Sequence, residues 1–286
     1  MRLIMSRTLR TACFLLASSL LTACADFQLF TPQEATEIKP TRQTRALENL
    51  SPPASPIYVA VYEFPDLTGQ NKPNTNFAEY SRAVTQGADA ILVDVLDEVG
   101  QGKWFSLVER RGVNNVLRER QLITATRQQF LGPNAPPLDA LNFAGLLLEG
   151  GVIAYESNIT NGGIGAKYLG IGANTKFSTD IVTVNLRAVS VQSGAILASV
   201  TTTKTIYSTV VQGDVFKYVG LNQLLELEAG IAENEPAQFA LREAIEAAVF
   251  ALIIEGAEKG VWSFKDRSKQ KEIIKTYNSR KIAAAG

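Results

Sequence analysis

Chemistry has few residues to work with in this chain. There is no histidine, which removes the commonest general base, the imidazole metal ligands and every Ser-His or Cys-His nucleophile. Carboxylates fall in close pairs at Asp94 and Asp97 and at Glu226 and Glu228, spacings from which acid–base work could be assembled. On a helix or strand such pairs are ordinarily solvated faces or neighbours one turn apart. No nucleophile, base and orienting group accompany them. No GxxxxGK[ST] motif is present, and the glycine-rich stretch of the chain does not open a helix, so no nucleotide cradle is expected. The reading is no enzyme, no metal and no cofactor. The side chain with a covalent fate is Cys24.

Arg2, Arg7 and Arg10 precede an apolar run from Ala12 to Leu21, too short to span a bilayer as a helix but right for the core of an export signal. It ends in Leu21-Thr22-Ala23-Cys24, the pattern of a bacterial lipobox. Residues 1–23 are expected to leave as the signal, and Cys24 to carry S-diacylglycerol and an N-acyl chain, enough acyl chains for stable attachment. Ala25 follows in place of an aspartate, which favours sorting to the outer membrane. With Cys13 removed and Cys24 lipidated, no thiol remains for a disulfide. The 28 basic residues less the three signal arginines leave 25 against 28 acidic, a balance that does not suggest nucleic acid.

The elements divide as follows. Residues 24–56 contain five prolines, Pro32, Pro40, Pro52, Pro53 and Pro56, and read as an extended, lipidated tether. Residues 57–158 begin an α+β domain. Ile57 to Phe64 is a β-branched and aromatic strand, followed by a loop over 65–85 that is far longer than usual connections and therefore a candidate for function. Gln86 to Val99 places Ala88, Ile91, Leu92, Val95, Leu96 and Val99 on one helical face. Lys103 to Glu109 is a strand, Val113 to Gln128 a second helix, Leu138 to Phe143 a short helical turn, and Leu146 to Glu156 a strand. Residues 180–208 give two antiparallel strands about the Gln192-Ser193-Gly194 turn. Pro236 opens the long helix Ala237 to Lys259, with Leu241, Ile245, Ala248, Val249, Leu252 and Ile253 as its apolar stripe. A polar helix over Asp266 to Asn278 ends the 234–286 region.

Two stretches fit neither an ordinary buried strand nor a helix. Residues 159–179 carry Gly162, Gly163, Gly165, Gly170 and Gly172, which costs conformational entropy and fills no core. Around them the residues alternate: Ile171, Ala173, Thr175 and Phe177 against Gly172, Asn174, Lys176 and Ser178. A curved hairpin with arms of about ten residues reaches across a bilayer's hydrocarbon as tilted strands; a surface hairpin is the plainer alternative. Residues 209–233 form a second candidate, with Gln212 and Asp214 opposite Val211 and Val215. Glu226 and Glu228 must face water, and the segment around them fits a strand or a short helix equally. Asn174, Lys176, Asp214, Glu226 and Glu228 are the expected water-facing positions.

Two hairpins supply four strands, which cannot close. An open edge in hydrocarbon leaves amides unpaired at several kcal/mol each. Membrane entry therefore requires copies to share one barrel, and a water-filled lumen needs roughly sixteen strands. A non-pore periplasmic scaffold, with the hairpins as subunit contacts, is the alternative.

Several motifs together resemble one known family. They are Leu21-Thr22-Ala23-Cys24, the run Asp66 to Pro73 (DLTGQNKP), Trp104-Phe105 with Glu109-Arg110, Gly150 to Asn158, Gly162 to Ala173 (GGIGAKYLGIGA) and Val184 to Arg187 (VNLR). The family is that of the curli production assembly and transport lipoproteins, and the likeness extends to about Trp262. It implies an α+β periplasmic domain with two amphipathic β-hairpins contributed to a shared oligomeric transmembrane β-barrel, in a ring of nine copies with roughly 36 strands. It implies export of unfolded curli subunits, a periplasmic adaptor and an extracellular accessory factor. The long loop then forms the constriction, with Asn76-Phe77 or Glu79-Tyr80 at the position of the family's Asn-Phe pair. Glu79 in that ring would favour cations.

Overall fold

Ile57–Val61 is the strand on which the sheet is founded, a run of β-branched and aromatic residues that suits a pleated, half-buried surface. In the computed structural model, which describes residues 40–69, 85–160, 174–212 and 237–285, this strand, β1, has a parallel neighbour on each side. Phe105–Leu107 (β2) pairs with one edge and Leu146–Thr160 (β3) with the other. Asn174–Ser190 (β4) runs antiparallel to β3, and Ile196–Gln212 (β5) antiparallel to β4. The result is one mixed sheet in the order β2-β1-β3-β4-β5. With its helices it makes an α+β fold, as read from the sequence.

The helices are α1 (Arg42–Glu48), α2 (Ala88–Glu98), α3 (Val113–Leu131), α4 (Ala237–Glu258) and α5 (Arg267–Ala285). The long helix α4 lies on the face of the sheet that carries Leu148, Val152, Val182, Val184, Leu186, Ala188, Ala198 and Val200. All six residues of its expected stripe are buried, each such aliphatic side chain contributing about 1.5–3 kcal/mol. Trp104 closes one end of this core: it is fully buried, donates its indole N–H to Ser51 O at 2.9 Å and meets Phe264 edge-on at 4.8 Å.

Two expectations are corrected. The tether does not stay extended as far as Pro56, because α1 lies within it. Thr41 caps α1 reciprocally with Thr44, and Leu47 and Leu50 enter the core. Leu138 to Phe143 forms no helical turn: the segment gives two of its carbonyls to arginines, Asp139 O to Arg120 and Asn142 O to Arg110. The helix begun at Val113 forms, but none of its residues is buried. It leans on this return segment instead, with Arg127 donating to Pro136 O.

The antiparallel ribbon is longer than the domain requires. Its strands run 15, 17 and 17 residues, about 50–58 Å at roughly 3.4 Å per residue. The ribbon reaches the borders of both glycine-rich or hairpin stretches, whose tips lie outside the described residues. Among the described residues no helix is long and apolar enough to cross a membrane.

Candidate functional site

Most of the expected site residues lie outside the described residues: Cys24, Asn76, Phe77, Glu79, Tyr80, Asp214, Glu226 and Glu228. What is described are the two ends of the long loop and the roots of the two stretches expected as hairpins.

The loop leaves the sheet alongside β3, on the side that β1 occupies as far as Val61. Beyond Val61 the chain continues beside β3, with Val152 N donating to Pro65 O at 3.0 Å and Leu67 N to Val152 O at 2.9 Å. This close passage needs glycine. A Cβ on Gly150 would stand 2.0 Å from Asn185 O and 2.9 Å from the ring of Phe64, and one on Gly151 would stand 2.6 Å from Pro65 O. The Asp66 side chain then divides its two oxygens. Oδ1 accepts from Thr68 N at 3.0 Å and Thr68 Oγ1 at 2.7 Å, while Oδ2 accepts from Gln86 Nε2 at 3.2 Å. Gln86 belongs to the returning end of the loop. Helix α2 starts two residues later, and its buried Asp89 is ion-paired with Arg111.

At the hairpin roots the strand register decides which residues share a face. Strand β4 pairs without irregularity from Asn174 to Ala188. Asn174 and Lys176 lie on this strand, at register positions paired with Gln212 and Val210 of β5. On β3 the register shifts between Val152 and Ala154, so that Tyr155 takes the position opposite Val182. On β5, Thr202 donates to Ala244 O at 2.8 Å and Lys204 pairs with Glu243, fixing the root of the stretch expected as the second hairpin to the first turns of α4.

Next to this root lies a buried charge cluster that the sequence does not announce. Arg242 is 5 % exposed and Glu246 fully buried. The guanidinium donates to Glu246 Oε1 at 3.1 Å, to Asp94 Oδ2 at 2.5 Å and to Glu98 at 2.7 and 2.8 Å. Glu246 also accepts from the hydroxyls of Thr41 at 2.5 Å and Thr44 at 2.7 Å. The first turn of α1 is thus fastened to α4. Burial works to lower the Arg242 pKa, but its hydrogen bonds to Asp94 and Glu98 and their charges outweigh it, and the guanidinium ends above its ordinary value. Glu98 also ends above its ordinary value. Its own burial, with Asp94 and Glu246 nearby, outweighs the Arg242 charge. Asp94 is engaged here as an ion-pair partner, which is a structural role for one member of the carboxylate pair noted in the sequence. Glu246 and Arg242 sit one turn apart on α4, and that spacing is the signal that could have found them. Among the described residues no group of three or more His, Cys, Asp or Glu side chains is placed to hold a metal.

Comparison with known proteins agrees with the frame. The family model described as "Curli production assembly/transport component CsgG" matches residues 41–280. A protein of that description from Salmonella typhimurium is 40 % identical over 286 aligned residues, covering 97 % of this chain and 99 % of its own. One from Escherichia coli K12 is 40 % identical over 259, covering 88 % and 91 %. A solved structure from Xanthomonas campestris covers 74 % of this chain and 92 % of its own at 15 % identity, with a TM-score of 0.33, too low to carry an argument.

Proposed function

Because this chain belongs to the family of curli production assembly/transport components, we propose that it is the subunit of an oligomeric outer-membrane lipoprotein channel that exports unfolded curli subunits from periplasm to cell surface. The family is one of transport and assembly components and not of enzymes. In this reading Cys24 carries the lipid anchor. Residues 159–179 and 209–233 of each copy, nine in all by family likeness, close one barrel, and the loop over 65–85 narrows it with Asn76, Phe77, Glu79 and Tyr80. Asn174, Lys176, Asp214, Glu226 and Glu228 line the lumen. A periplasmic adaptor caps the entrance and an extracellular factor couples exit to fibre nucleation.

The observation that carries the reading is the ribbon. Strands of 17 residues pair in unbroken register from Asn174↔Gln212 to Ala188↔Ala198, far past the part of the sheet that α4 covers. The mechanism then needs no nucleotide. An extended polypeptide, whose neighbouring strands would lie about 5 Å apart, passes an aperture that excludes a folded domain tens of ångströms across. Transport follows the cargo's concentration gradient, biased by its confinement on the periplasmic side.

The test is the mass of the detergent-extracted particle together with its single-channel conductance in a planar bilayer. A multimeric particle with a discrete ohmic conductance is expected. A monomer whose hairpins are cut by periplasmic protease would sink the channel. A multimer that passes no current would favour the scaffold reading.

A further inference from the structure

We propose that Asp66 is the positioning residue of the constriction, a clasp whose two carboxylate oxygens hold the outgoing and returning ends of the long loop against each other. The inference rests on the channel reading for what the loop does, but the clasp is built from described residues alone. Asp66 and Gln86 are separated by 20 residues, and each end is fastened to a different element. The outgoing end is hydrogen-bonded to β3 on both sides of Val152, at a place made passable only by Gly150 and Gly151. The returning end enters α2, where Ala90 N and Ile91 N donate to Gly87 O and Asp89 is ion-paired with Arg111. Sheet and helix are thus joined across the mouth of the loop by one side chain.

The chemistry suits aspartate. An ionised carboxylate is acceptor only, with two oxygens pointing apart, and it receives three donors here: the Thr68 amide and hydroxyl on one oxygen, the Gln86 amide on the other. Closing a loop of this length costs entropy that rises only slowly with each added residue. The benefit of the clasp is therefore positional more than energetic. Groups that act together have to be held to about 0.5 Å by their supporting shell. In a ring, the scatter of each copy's loop adds to the scatter of a single aperture.

Asparagine at this position keeps the clasp without the charge. Its Oδ1 still accepts from Thr68, and its amide nitrogen can donate to Gln86 once that side chain is turned over. Alanine removes both links. Single-channel recordings of full-length lipidated oligomers of wild type, Asp66→Asn and Asp66→Ala, with particle mass measured for each, separate clasp from charge. Wild type and Asp66→Asn are expected to share one sharp open-pore conductance level, and Asp66→Ala to lose it to a broad, noisy distribution at unchanged particle mass. Gln86→Ala, an exposed position that releases the returning end alone, is expected to broaden the level as well, and it carries the test if Asp66→Ala does not assemble. A sharp wild-type level in Asp66→Ala or Gln86→Ala overturns the clasp, and so does Asp66→Asn behaving like the alanine variant. Absence of any conducting oligomer in the wild type refutes the channel reading instead.

Discussion

At the scale of single residues the largest stake is in the pair Arg242 and Glu246. Removing Glu246 leaves Arg242 with Asp94 and Glu98 as partners but takes the acceptor from two buried threonine hydroxyls, a cost of about 1–3 kcal/mol for each buried group left unsatisfied. Glu246→Ala is accordingly expected to lower the unfolding free energy by an amount of that order, seen as a lowered urea midpoint, and to free the first turn of α1, whose Thr41 and Thr44 hydroxyls lose their acceptor. Protease cleavage between Cys24 and Leu47 should quicken in step, and a variant with an unchanged midpoint contradicts this role. Glu98 gives a pH signature. Its folded pKa lies above the ordinary carboxylate value, so folding takes up a proton. The stability this contributes is complete below the unfolded value and is lost as pH rises through the folded one. Wild type should therefore gain stability on acidification just above the ordinary carboxylate range, and Glu98→Gln should flatten that limb. An unfolding midpoint in Glu98→Gln that still rises with acidification as steeply as in wild type would show another group at work. Neither role was legible in advance: Asp94 read as one of a solvated pair, because its partner is 148 residues away.

At the scale of elements, what the sequence made plain were the runs whose period matches their burial. The stripe of α4, the Ala88 to Val99 face of α2 and the short apolar β1 all appear where alternation or three- and four-residue spacing puts them. What stayed hidden were elements decided by distant partners. Helix α1 is short, lies among prolines and draws its stability from Glu246 on another helix. The LDALNF run has helical spacing, yet Arg120 of α3 and Arg110 take two of its carbonyls and no helical turn forms. The double glycine at 150–151 is the case where sequence gave position without reason. It reads as a weak spot in a strand, and the structure makes it the crossing point of Phe64 and Pro65. Gly150→Ala must push β4 or the loop root aside. We expect a loss of about 1–3 kcal/mol, the ordinary cost of overpacking a tight site. Recordings should also show a disturbed open-pore level, because Pro65 and Asp66 move with the crossing. A fully wild-type urea midpoint would mean that the strands part there at no cost.

At the scale of the whole molecule, a feature weak in one chain is multiplied if the proposed ring forms. Glu79, which with Tyr80 is one of the two proposed placements of the constriction pair, is one acidic residue in a long loop. Repeated around a closed aperture it becomes a belt of like charges, and such a belt concentrates counter-ions of the opposite sign. The field acts within about one Debye length, roughly 8–10 Å at ordinary ionic strength, so the effect on a narrow opening should be strong in dilute salt and fade in concentrated salt. The wild-type oligomer in a salt gradient is expected to show a reversal potential displaced toward that of the cation. Glu79→Gln should move it toward zero and weaken its salt dependence while leaving particle mass unchanged. Lumen charges at Lys176 and Asp214 act on a wider bore and should displace the potential much less when neutralised singly. A reversal potential indifferent to Glu79→Gln would remove this residue from the narrowest level and leave Asn76 and Phe77 as the pair that defines it.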